Sequence, residues 1–238
     1  MHGGENAAGA RNGASGIDCL SVIIPTLNAS RSLSATLGPL VDVGEIVVAD
    51  GGSTDNTIEL AMAHGARVMH VTAGRGRQLI AGAAAARSDW LLFLHADTVL
   101  EAGWREEVCE FQENPQNLGR AATFRFALDD ACSEAKRLER LVAWRVRSLG
   151  VAYGDQGLVI HRQFYASLGG FQPWPLMEDV DLVRRVGRHR LVVFRTAART
   201  SAERWRRDGW NQRSLRNLGC LGLYALGMPP PLISRLYG

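Results

Sequence analysis

Lysine is almost absent from this chain, although positive charge is not. Lys136 is the single lysine among 27 basic residues, and 24 acidic residues leave a formal net charge of +3 over 238 residues. The planar donor fork of arginine suits phosphate and carboxylate groups. A charge excess this small does not indicate a nucleic-acid-binding protein, which would carry a strongly basic face. The composition therefore predicts no nucleic-acid partner, and the arginines must be placed before they indicate another one.

Cysteine and long apolar runs are also scarce. The four cysteines lie far apart and form no C-x-x-C pair, which argues against a zinc knuckle and against a thioredoxin-like motif. A membrane-spanning helix would need about 18 or more uninterrupted apolar residues, and no such run occurs. The N-terminal stretch lacks the apolar segment of a secretory signal. We therefore expect a cytoplasmic protein with reduced thiols.

The remaining composition is that of a globular α/β protein, with 46% hydrophobic and 21% charged residues. Residues 1–17 are rich in glycine, alanine and asparagine and predict a disordered leader. We find no internal repeat and no clear linker, so we expect one domain over residues 18–200. Residues 201–238 predict a C-terminal helical extension.

Strand and helix signals alternate in the first half. Short apolar runs rich in β-branched residues predict buried parallel strands, here at 21–25, 45–49, 67–71 and 90–94. Helices are predicted between them, at about 31–40, from a cap at Ser53 or Thr54 to about 64, and at 78–87. This alternation is typical of βαβ units and a mostly parallel sheet flanked by helices.

The second half is more mixed. Strands are predicted at 122–128, 157–161 and 191–195, and helices at 133–149, 177–188 and 201–226. The helix at 133–149 places apolar residues on one face, which we expect to be buried; they are Leu138, Leu141, Val142, Val146 and Leu149.

Polar residues collect where the strands end. Asn28 follows the first strand, Asp50 ends the second, and Asp97 follows the fourth. Ligands of open α/β sheets bind beyond the carboxyl ends of the strands, so these side chains should converge on one crevice. An aspartate after a strand can also serve only as a turn residue or a helix cap. The same pattern at three successive strand ends favours a site.

Four motifs carry a resemblance to a known family. They are 21–28 (SVIIPTLN), 48–57 (VADGGSTDNT), 92–98 (LFLHADT) and 177–182 (MEDVDL). In this order and spacing they resemble the family 2 glycosyltransferases of GT-A fold. Within that family the chain looks most similar to a small bacterial group with Leu-His-Ala-Asp-Thr and with Gly-Asp-Gln-Gly, here residues 154–157. The resemblance implies a Rossmann-like GT-A domain.

The resemblance also implies a nucleoside-diphosphate sugar donor in the strand-end crevice. Asp50 matches the carboxylate that contacts the nucleotide base. Asp97 matches the last acid of the Asp-x-Asp motif, which holds Mg²⁺ or Mn²⁺ on the diphosphate, where the metal neutralises charge on the leaving group. Arg77 lies in a predicted loop from which it could add a donor to that diphosphate. Four further residues are expected to line the same pocket: Pro25, Thr26, Asn28 and Ser53.

His95 departs from the family pattern, because it replaces the first acid of Asp-x-Asp. The metal therefore has one fewer oxygen ligand available. We expect His95 to lie in the pocket, in contact with ribose or phosphate or donating to Asp97. A half-buried strand-end histidine with ordinary hydrogen bonds is the alternative, and we do not assign His95 to the metal.

Glu178 and Asp179 are the catalytic candidates. An inverting transfer needs a base for the proton of the acceptor hydroxyl, and a carboxylate in a partly desolvated pocket is suitable. By the family pattern Asp179 is this base, and Glu178 supports or orients it. Two acids in the first turn of a helix also stabilise that helix, by about 0.3–1 kcal/mol each. Asp181 is expected to pair with Arg184 or Arg185.

Two further segments could contribute to substrate binding. Asp155 and Gln156 precede a strand and could form the acceptor side, although a plain turn is equally compatible. Arg204 and Trp205 faintly resemble the Q-x-x-R-W signature of processive relatives, but Ser201 stands in the place of the glutamine, so we do not infer processivity. These two side chains could close over the diphosphate or the acceptor, or form a solvated helix with one anchoring tryptophan.

The apolar stretch 215–236 is interrupted by glycines and three consecutive prolines. With neighbouring arginines it could rest at the inner face of an anionic membrane, consistent with a lipid-linked acceptor. Packing on the catalytic domain or at a dimer contact is the alternative that we prefer.

The sequence thus predicts an inverting, metal-assisted glycosyltransferase. Two alternatives stay open: a non-catalytic nucleotide-sugar-binding module, and a nucleotidyltransferase on a similar sheet. The second would need a glycine-rich signature with a lysine near the first strand, and residues 25–28 (PTLN) stand there instead. No motif identifies the sugar or the acceptor.

Overall fold

The computed structural model describes residues 16–237. Residues 1–15 of the predicted leader therefore lie outside the described residues. The last two residues of that segment belong to the fold instead: Gly16–Cys19 forms a 3₁₀ helix, Ile17 is buried, and its carbonyl accepts a hydrogen bond from the Gly44 amide at 3.1 Å. The burial of this apolar side chain moves the start of the folded part ahead of residue 18.

The described residues form one eight-stranded sheet with the strand order β3-β2-β1-β4-β7-β6-β8-β5. The first four positions are parallel, and β4 is followed by the antiparallel β7. The sheet also contains the antiparallel pairs β6–β7 and β5–β8 and the parallel pair β6–β8. The strands are β1 (Leu20–Thr26), β2 (Glu45–Asp50), β3 (Arg67–His70), β4 (Trp90–Phe93), β5 (Thr98–Leu100), β6 (Ala121–Leu128), β7 (Leu158–His161) and β8 (Leu191–Thr200).

Helices cover both faces of the sheet, as expected for the predicted α/β class. Along β1 the side chains alternate between two cores: Val22 and Ile24 pack on one side and Ile23 on the other, which is the period of an extended strand. The helices are α1 (Leu33–Leu37), α2 (Thr57–Ala63), α3 (Arg75–Ala85), α4 (Trp104–Glu113), α5 (Ser133–Leu149), α6 (Arg162–Ser167), α7 (Glu178–Val186), α8 (Glu203–Asp208), α9 (Trp210–Ala225) and α10 (Pro230–Tyr237).

Two predicted helix starts are wrong by about one turn. Helix α2 begins at Thr57 and not after Ser53 or Thr54, because the Ser53 hydroxyl donates to Asp50 and accepts from the backbone of Asn28. Helix α3 begins at Arg75 rather than at Gln78. It can begin there because Gly74 adopts φ +139°, a backbone angle that glycine reaches without steric cost.

The predicted apolar face of α5 is only partly buried. Val142 and Val146 lie in the core, but Leu141 and Leu149 remain 63% and 56% exposed. The helix therefore turns part of its apolar surface away from the sheet.

The C-terminal helices pack on the rest of the chain. Cys220 of α9 and Ile233 of α10 are buried in one cluster with Met177 and Val180. The described residues contain no helix long and apolar enough to cross a membrane. The expected contact with a membrane surface stays a prediction.

Candidate active site

The fold creates a crevice where the chain changes direction across the sheet. Strands β2 and β3 lie on one side of β1, and β4 lies on the other. In open α/β sheets the carboxyl ends of the strands at such a switch point form the ligand site. A cavity of about 450 Å³ lies at this place, and we call it the switch-point crevice; its lining includes Pro25, Thr26, Asn28, Arg75, His95, Asp97 and Arg204.

Asp50 lies beneath this crevice and does not line it. Its carboxylate has no exposed surface and accepts hydrogen bonds from the hydroxyls of Thr26 at 2.9 Å and Ser53 at 2.5 Å. The amides of Gly52 and Ser53 donate to its other oxygen. Burial raises the pKa of Asp50, but these hydrogen bonds outweigh burial and lower it overall.

The same network orders the loop after β1. Asn28 has a φ of +51°, its amide donates to the Ser53 hydroxyl at 2.8 Å, and its side-chain oxygen accepts from the Thr54 amide at 2.9 Å. Asp50 and Ser53 thus hold the crevice wall that Asn28 belongs to. The expected contact of Asp50 with a nucleotide base stays a prediction.

A second cavity of about 130 Å³ adjoins the crevice, and we call it the carboxylate pocket. Arg75, His95, Asp97 and Arg204 line both spaces. The lining of the carboxylate pocket also contains Tyr153, Asp155, Asp179, Trp205, Arg213 and Asn217. Side chains from the ends of β1 and β4, from α3, α7, α8 and α9, and from the turn before β7 therefore meet around two connected spaces.

Asp179 is held rigidly at the start of α7. Met177 precedes the helix in the left-handed conformation, with φ +66°. The Asp179 carboxylate accepts from the Gly154 amide at 2.7 Å, lies 3.7 Å from the Arg75 guanidinium, and is 13% exposed. Burial raises the pKa of Asp179, but the Arg75 charge and the Gly154 hydrogen bond lower it overall. Asp179 is therefore an ionised carboxylate at the pocket wall.

Glu178 points away from this wall. Its side chain is fully buried and accepts a hydrogen bond from the Arg75 Nε, while its Oε2 has no hydrogen-bond partner in the described part of the chain. Burial raises the pKa of Glu178 more than the Arg75 charge lowers it. Any support that Glu178 gives to Asp179 therefore passes through Arg75, which contacts both carboxylates.

Of the two arginines that flank Gly76, Arg75 lines both cavities and Arg77 lines neither. Arg77 lies in the first turn of α3 rather than in a loop, and its side chain is exposed. Gly76 lets the helix start approach the segment before α7, because a Cβ there would lie 2.3 Å from the Gln172 carbonyl oxygen. The sequence shows two arginines on either side of this glycine. The position at which α3 begins determines which of the two lies in the site.

His95 lies in the pocket, as its strand-end position predicted. Burial, reinforced by the Arg75 charge, lowers the pKa of His95 to about 4. The imidazole is therefore neutral at neutral pH and can accept as well as donate a hydrogen bond. A Cβ on Gly154 would lie 2.5 Å from the His95 Nε2 and 3.1 Å from the Asp179 carboxylate. Glycine at this position allows the two side chains to approach each other.

Asp97 is the carboxylate available to a cation. It lines both cavities. The Arg204 guanidinium lies 3.6 Å from its carboxylate, on a side chain that is 63% exposed. No group of three His, Cys, Asp or Glu side chains suited to a metal occurs within residues 16–237. The donor set fits a hard cation that takes one carboxylate from the protein and its other ligands from phosphate and water.

The two predicted substrate-binding residues in the turn before β7 have different positions. Asp155 lines the carboxylate pocket, and burial, opposed by Arg145 and reinforced by Asp179, raises its pKa to about 6. Gln156 is buried instead, and its amide donates to the Phe124 carbonyl at 3.0 Å. The structure therefore gives Gln156 a supporting position beneath the site, because the 3₁₀ turn Gly154–Gln156 points it at β6.

Trp205 forms part of the pocket wall from α8. It is 9% exposed, its ring stacks on Trp210 at 6.0 Å, and the Arg213 guanidinium lies 5.4 Å from the ring centre. The neighbouring Arg204 is solvated but reaches Asp97. The segment therefore places an anchoring tryptophan beside an exposed arginine at the pocket, and the expected contact of these side chains with the diphosphate or the acceptor stays a prediction. Tyr153, Arg213 and Asn217 are lining residues that no sequence motif had indicated.

Solved structures share this fold. The structure of Staphylococcus aureus TarS in complex with UDP matches with a TM-score of 0.62 at 15% identity, over 76% of this chain and 60% of that chain. Glucosyl-3-phosphoglycerate synthase from Mycobacterium tuberculosis, in complex with Mn²⁺, UDP and glucosyl-3-phosphoglycerate, matches with a TM-score of 0.51 at 22% identity, over 76% of this chain and 70% of that chain. The likeness establishes the GT-A fold.

Two curated relatives match shorter segments. Glucosyl-3-phosphoglycerate synthase of M. tuberculosis strain H37Rv is 35% identical over 94 residues, which cover 34% of this chain and 29% of that protein. An uncharacterised glycosyltransferase of the same strain is 34% identical over 87 residues, covering 36% of this chain and 40% of that protein. The matches therefore span less than half of either relative.

The family comparison covers more of the chain than these relatives do. The model described as glycosyl transferase family 2 matches residues 21–147. This span contains β1, β2 and β4 with the strand ends that line the switch-point crevice. With more than half of its length matched and the fold of the solved glycosyltransferases, the chain belongs to glycosyl transferase family 2.

Proposed function

We propose that this protein transfers a glycosyl group from a nucleoside-diphosphate sugar to an acceptor hydroxyl, with inversion at the anomeric carbon. One observation carries the proposal: an ionised Asp179 lines a pocket that shares Arg75, His95, Asp97 and Arg204 with the switch-point crevice. A base and a set of anion-binding groups therefore share two connected spaces.

The switch-point crevice is the proposed donor site. Its residues Thr26 and Asn28 lie at the carboxyl end of β1, where α/β sheets bind nucleotides. Arg75 and Arg204 place positive charge where a diphosphate would lie, and guanidinium groups bind phosphate with directed hydrogen bonds. The solved TarS and glucosyl-3-phosphoglycerate synthase structures were obtained with UDP, which supports a nucleotide-sugar donor here.

Asp179 is the proposed base. The acceptor oxygen forms a bond to the anomeric carbon while the bond from that carbon to the diphosphate oxygen breaks, and the diphosphate leaves with the electron pair. The proton of the attacking hydroxyl passes to the Asp179 carboxylate. Arg75 and the Gly154 amide keep this carboxylate ionised and fixed before the reaction.

A divalent cation, Mg²⁺ or Mn²⁺, fits beside Asp97. When bound, the cation would supply neutralisation of the charge that develops on the leaving diphosphate. Asp97 would hold the cation, and the exposed Arg204 would turn from Asp97 toward the diphosphate. The Mn²⁺ in the glucosyl-3-phosphoglycerate synthase complex supports the same choice of metal.

Asp179→Asn tests the base assignment. We expect transfer to fall by about 10²–10⁴-fold, because the amide cannot accept the proton, while UDP binding stays within twofold. Asp181→Asn is the matched control, since Asp181 pairs with Arg185 on the same helix, as its spacing predicted, and does not line the pocket. A normal transfer rate in Asp179→Asn would exclude Asp179 as the base.

Asp97→Ala tests the cation site. In the wild-type protein we expect Mn²⁺ to strengthen UDP binding in a calorimetric titration, because Asp97 would hold the cation and the cation would offset the charge of the diphosphate. In Asp97→Ala the affinity should be equal with and without Mn²⁺. If Mn²⁺ strengthens UDP binding equally in both proteins, the cation is held elsewhere.

The non-catalytic alternative rests on His95 in place of an acid. A binding module has no need of an ionised carboxylate at the wall of the second pocket, so Asp179 favours the enzyme. Incubation of the protein with UDP-glucose and Mn²⁺ separates the two, since slow release of UDP that Asp179→Asn abolishes requires catalysis. The nucleotidyltransferase alternative predicts release of inorganic pyrophosphate from a nucleoside triphosphate and a sugar phosphate.

A further inference from the structure

An apolar groove lies between α5 and α9 and is not used by the function proposed above. Its volume is about 290 Å³, and its lining includes Phe126, Leu138, Leu141, Trp144, Leu218 and Leu221. Leu141, Trp144 and Leu218 are 63%, 54% and 67% exposed. A concave apolar surface of this kind marks a binding site more often than scattered surface leucines do. We call it the α5–α9 groove.

The α5–α9 groove is continuous with the carboxylate pocket. Tyr153, Asp155, Trp205 and Asn217 line both spaces. An occupant of the groove can therefore extend past these four side chains toward Asp179 without leaving the protein surface. The switch-point crevice joins the same pocket at Arg75 and His95. The groove therefore opens into the pocket at a different side.

Two buried polar atoms among the residues that line the groove have no hydrogen-bond partner within residues 16–237. They are the Asp155 Oδ1 and the Arg145 Nη2. Arg145 is otherwise fixed: its Nε donates to the Val151 carbonyl at 3.0 Å, and its guanidinium lies 3.6 Å from the Tyr153 ring centre. A buried acceptor and a buried donor left unpaired are costly, and a ligand that satisfies both would relieve that cost.

A hydroxyl group matches this pair of atoms. It can accept a hydrogen bond from an arginine and donate one to a carboxylate. The opposite charges of Arg145 and Asp155 also interact, so a phosphate or carboxylate head would be attracted by one and repelled by the other. The lining therefore selects an uncharged head and an apolar body.

We propose that the α5–α9 groove is the acceptor site, and that the acceptor is an uncharged alcohol with an apolar body, bound as a single molecule. This assignment rests on the proposed glycosyl transfer and names the substrate class of its second site. The apolar body lies along Leu141 and Leu218, and the hydroxyl end lies at Asp155 on binding. For the transfer, its single O–H turns from Asp155 to the neighbouring Asp179, which takes the proton. A bilayer or a second copy of the chain could cover the rim of the groove, but neither uses its connection with the carboxylate pocket.

The test uses 10-bromo-1-decanol, whose bromine quenches nearby tryptophan fluorescence. Trp144 and Trp205 line the groove, so the full chain should show saturable quenching. In the double variant Leu141→Glu with Leu218→Glu we expect affinity at least tenfold weaker, because both charged side chains enter an apolar lining. Both positions are exposed, so the fold should be kept. Leu226→Glu, 87% exposed and outside the groove, should bind as the wild-type protein does.

Head-group and length controls complete the test. 10-Bromodecanoate, with a charged head on the same chain, should bind at least tenfold more weakly than the alcohol, and so should 3-bromo-1-propanol. Unsaturable quenching, or equal affinity in the double variant and in Leu226→Glu, would overturn the proposal. It would also be overturned if the double variant only dissociated a dimer in light scattering, or only reduced sedimentation with phosphatidylglycerol vesicles, without a change in alcohol affinity.

UDP titration keeps this proposal separate from the proposed function. If the groove assignment alone is wrong, UDP binds and 10-bromo-1-decanol does not. If the proposed donor site is wrong, UDP fails to bind whatever the groove does. If only the proposed transfer is wrong, UDP binds, but the protein shows no Asp179-dependent release of UDP from UDP-glucose. The double variant should bind UDP within twofold of the wild-type protein, since neither leucine lines the switch-point crevice.

Discussion

Arg75 connects the two acids of the family motif, which sequence alone showed only as neighbours. Its guanidinium contacts the fully buried Glu178 and lies 3.7 Å from Asp179. Without Arg75, Glu178 would have to be buried as an uncompensated charge or take up a proton. The position of a single arginine therefore affects both the stability of the fold and the ionisation of the proposed base.

Arg75→Met should destabilise the protein, and more strongly at high pH. Burial already raises the pKa of Glu178, and removal of Arg75 raises it further. A carboxyl whose pKa is raised in the folded state favours folding at low pH, and this contribution is lost as pH rises through the folded pKa. We expect a loss of about 1–3 kcal/mol at pH 8 and a smaller one at pH 5.

Thermal unfolding at the two pH values checks this prediction. Arg77→Met is the matched control, because Arg77 is exposed two residues away on the same helix, and its unfolding should follow the wild-type protein at both pH values. Equal losses at pH 5 and pH 8 in Arg75→Met would show that the Glu178 charge is not the cause. Equal effects of the two variants would contradict the placement of Arg75.

At the scale of elements, helix α3 lies unusually close to the sheet. A Cβ on Gly82 would lie 2.4 Å from the Ile23 Cγ2 of β1. The glycine therefore allows the helix that carries Arg75 to lie against β1, the strand that ends at the switch-point crevice. Gly219 of α9 is exposed, and apart from the backbone of its own helix and its chain neighbours a Cβ there would meet no described atom within 4 Å.

Glycine-to-alanine changes in these two helices should have opposite effects. Gly82→Ala overpacks the contact with β1 and should cost about 1–3 kcal/mol. Gly219→Ala should stabilise α9 by up to about 1 kcal/mol, because alanine loses less backbone entropy in a helix. Urea unfolding measures both. If Gly219→Ala destabilises the protein, another part of the chain must contact α9 at this position. If Gly82→Ala leaves the stability unchanged, α3 can shift away from β1.

Element types followed from local patterns better than element ends did. The apolar runs of β1, β2 and β4 are buried on both faces, so each was visible as a short hydrophobic segment. Helix α4 was not predicted, although Trp104, Val108 and Phe111 are spaced for one buried face. Four glutamates are interspersed with these apolar residues, so the apolar face was not apparent from the sequence.

At the scale of the whole molecule, the C-terminal helices support the helix that carries the proposed base. Ile233 of α10 has no exposed surface and shares a cluster with Met177 and Val180, which flank Glu178 and Asp179. The extension thus contributes to the site through packing as well as through the lining residues Trp205 and Asn217.

Ile233→Ala should lower both stability and transfer. We expect a loss of about 2–5 kcal/mol from the buried methyl groups and the cavity that they leave, and lower transfer at temperatures where α10 separates from α7. Leu236→Ala, on the same helix and 66% exposed, should stay within about 0.5 kcal/mol of the wild-type protein. Thermal unfolding and a UDP-release assay measure the two effects. Lower stability with unchanged transfer at every temperature would show that the extension only stabilises the fold.

Short-range patterns were sufficient for the α/β class, the four parallel strands and the family motifs, because strand burial and strand-end turns depend on neighbours in sequence. They also predicted that His95 and Asp97 lie in one crevice, since the carboxyl ends of parallel strands share an edge. Asp179, at the start of α7, came from the family resemblance instead. Contacts between distant residues decided the rest. Arg75 lies in the site in place of the predicted Arg77, because it contacts Glu178, 103 residues further along the chain. Likewise, the exposed leucines of α5 form one wall of a groove because α9 packs opposite them. The two helices are far apart in sequence, so no short-range pattern could predict this contact.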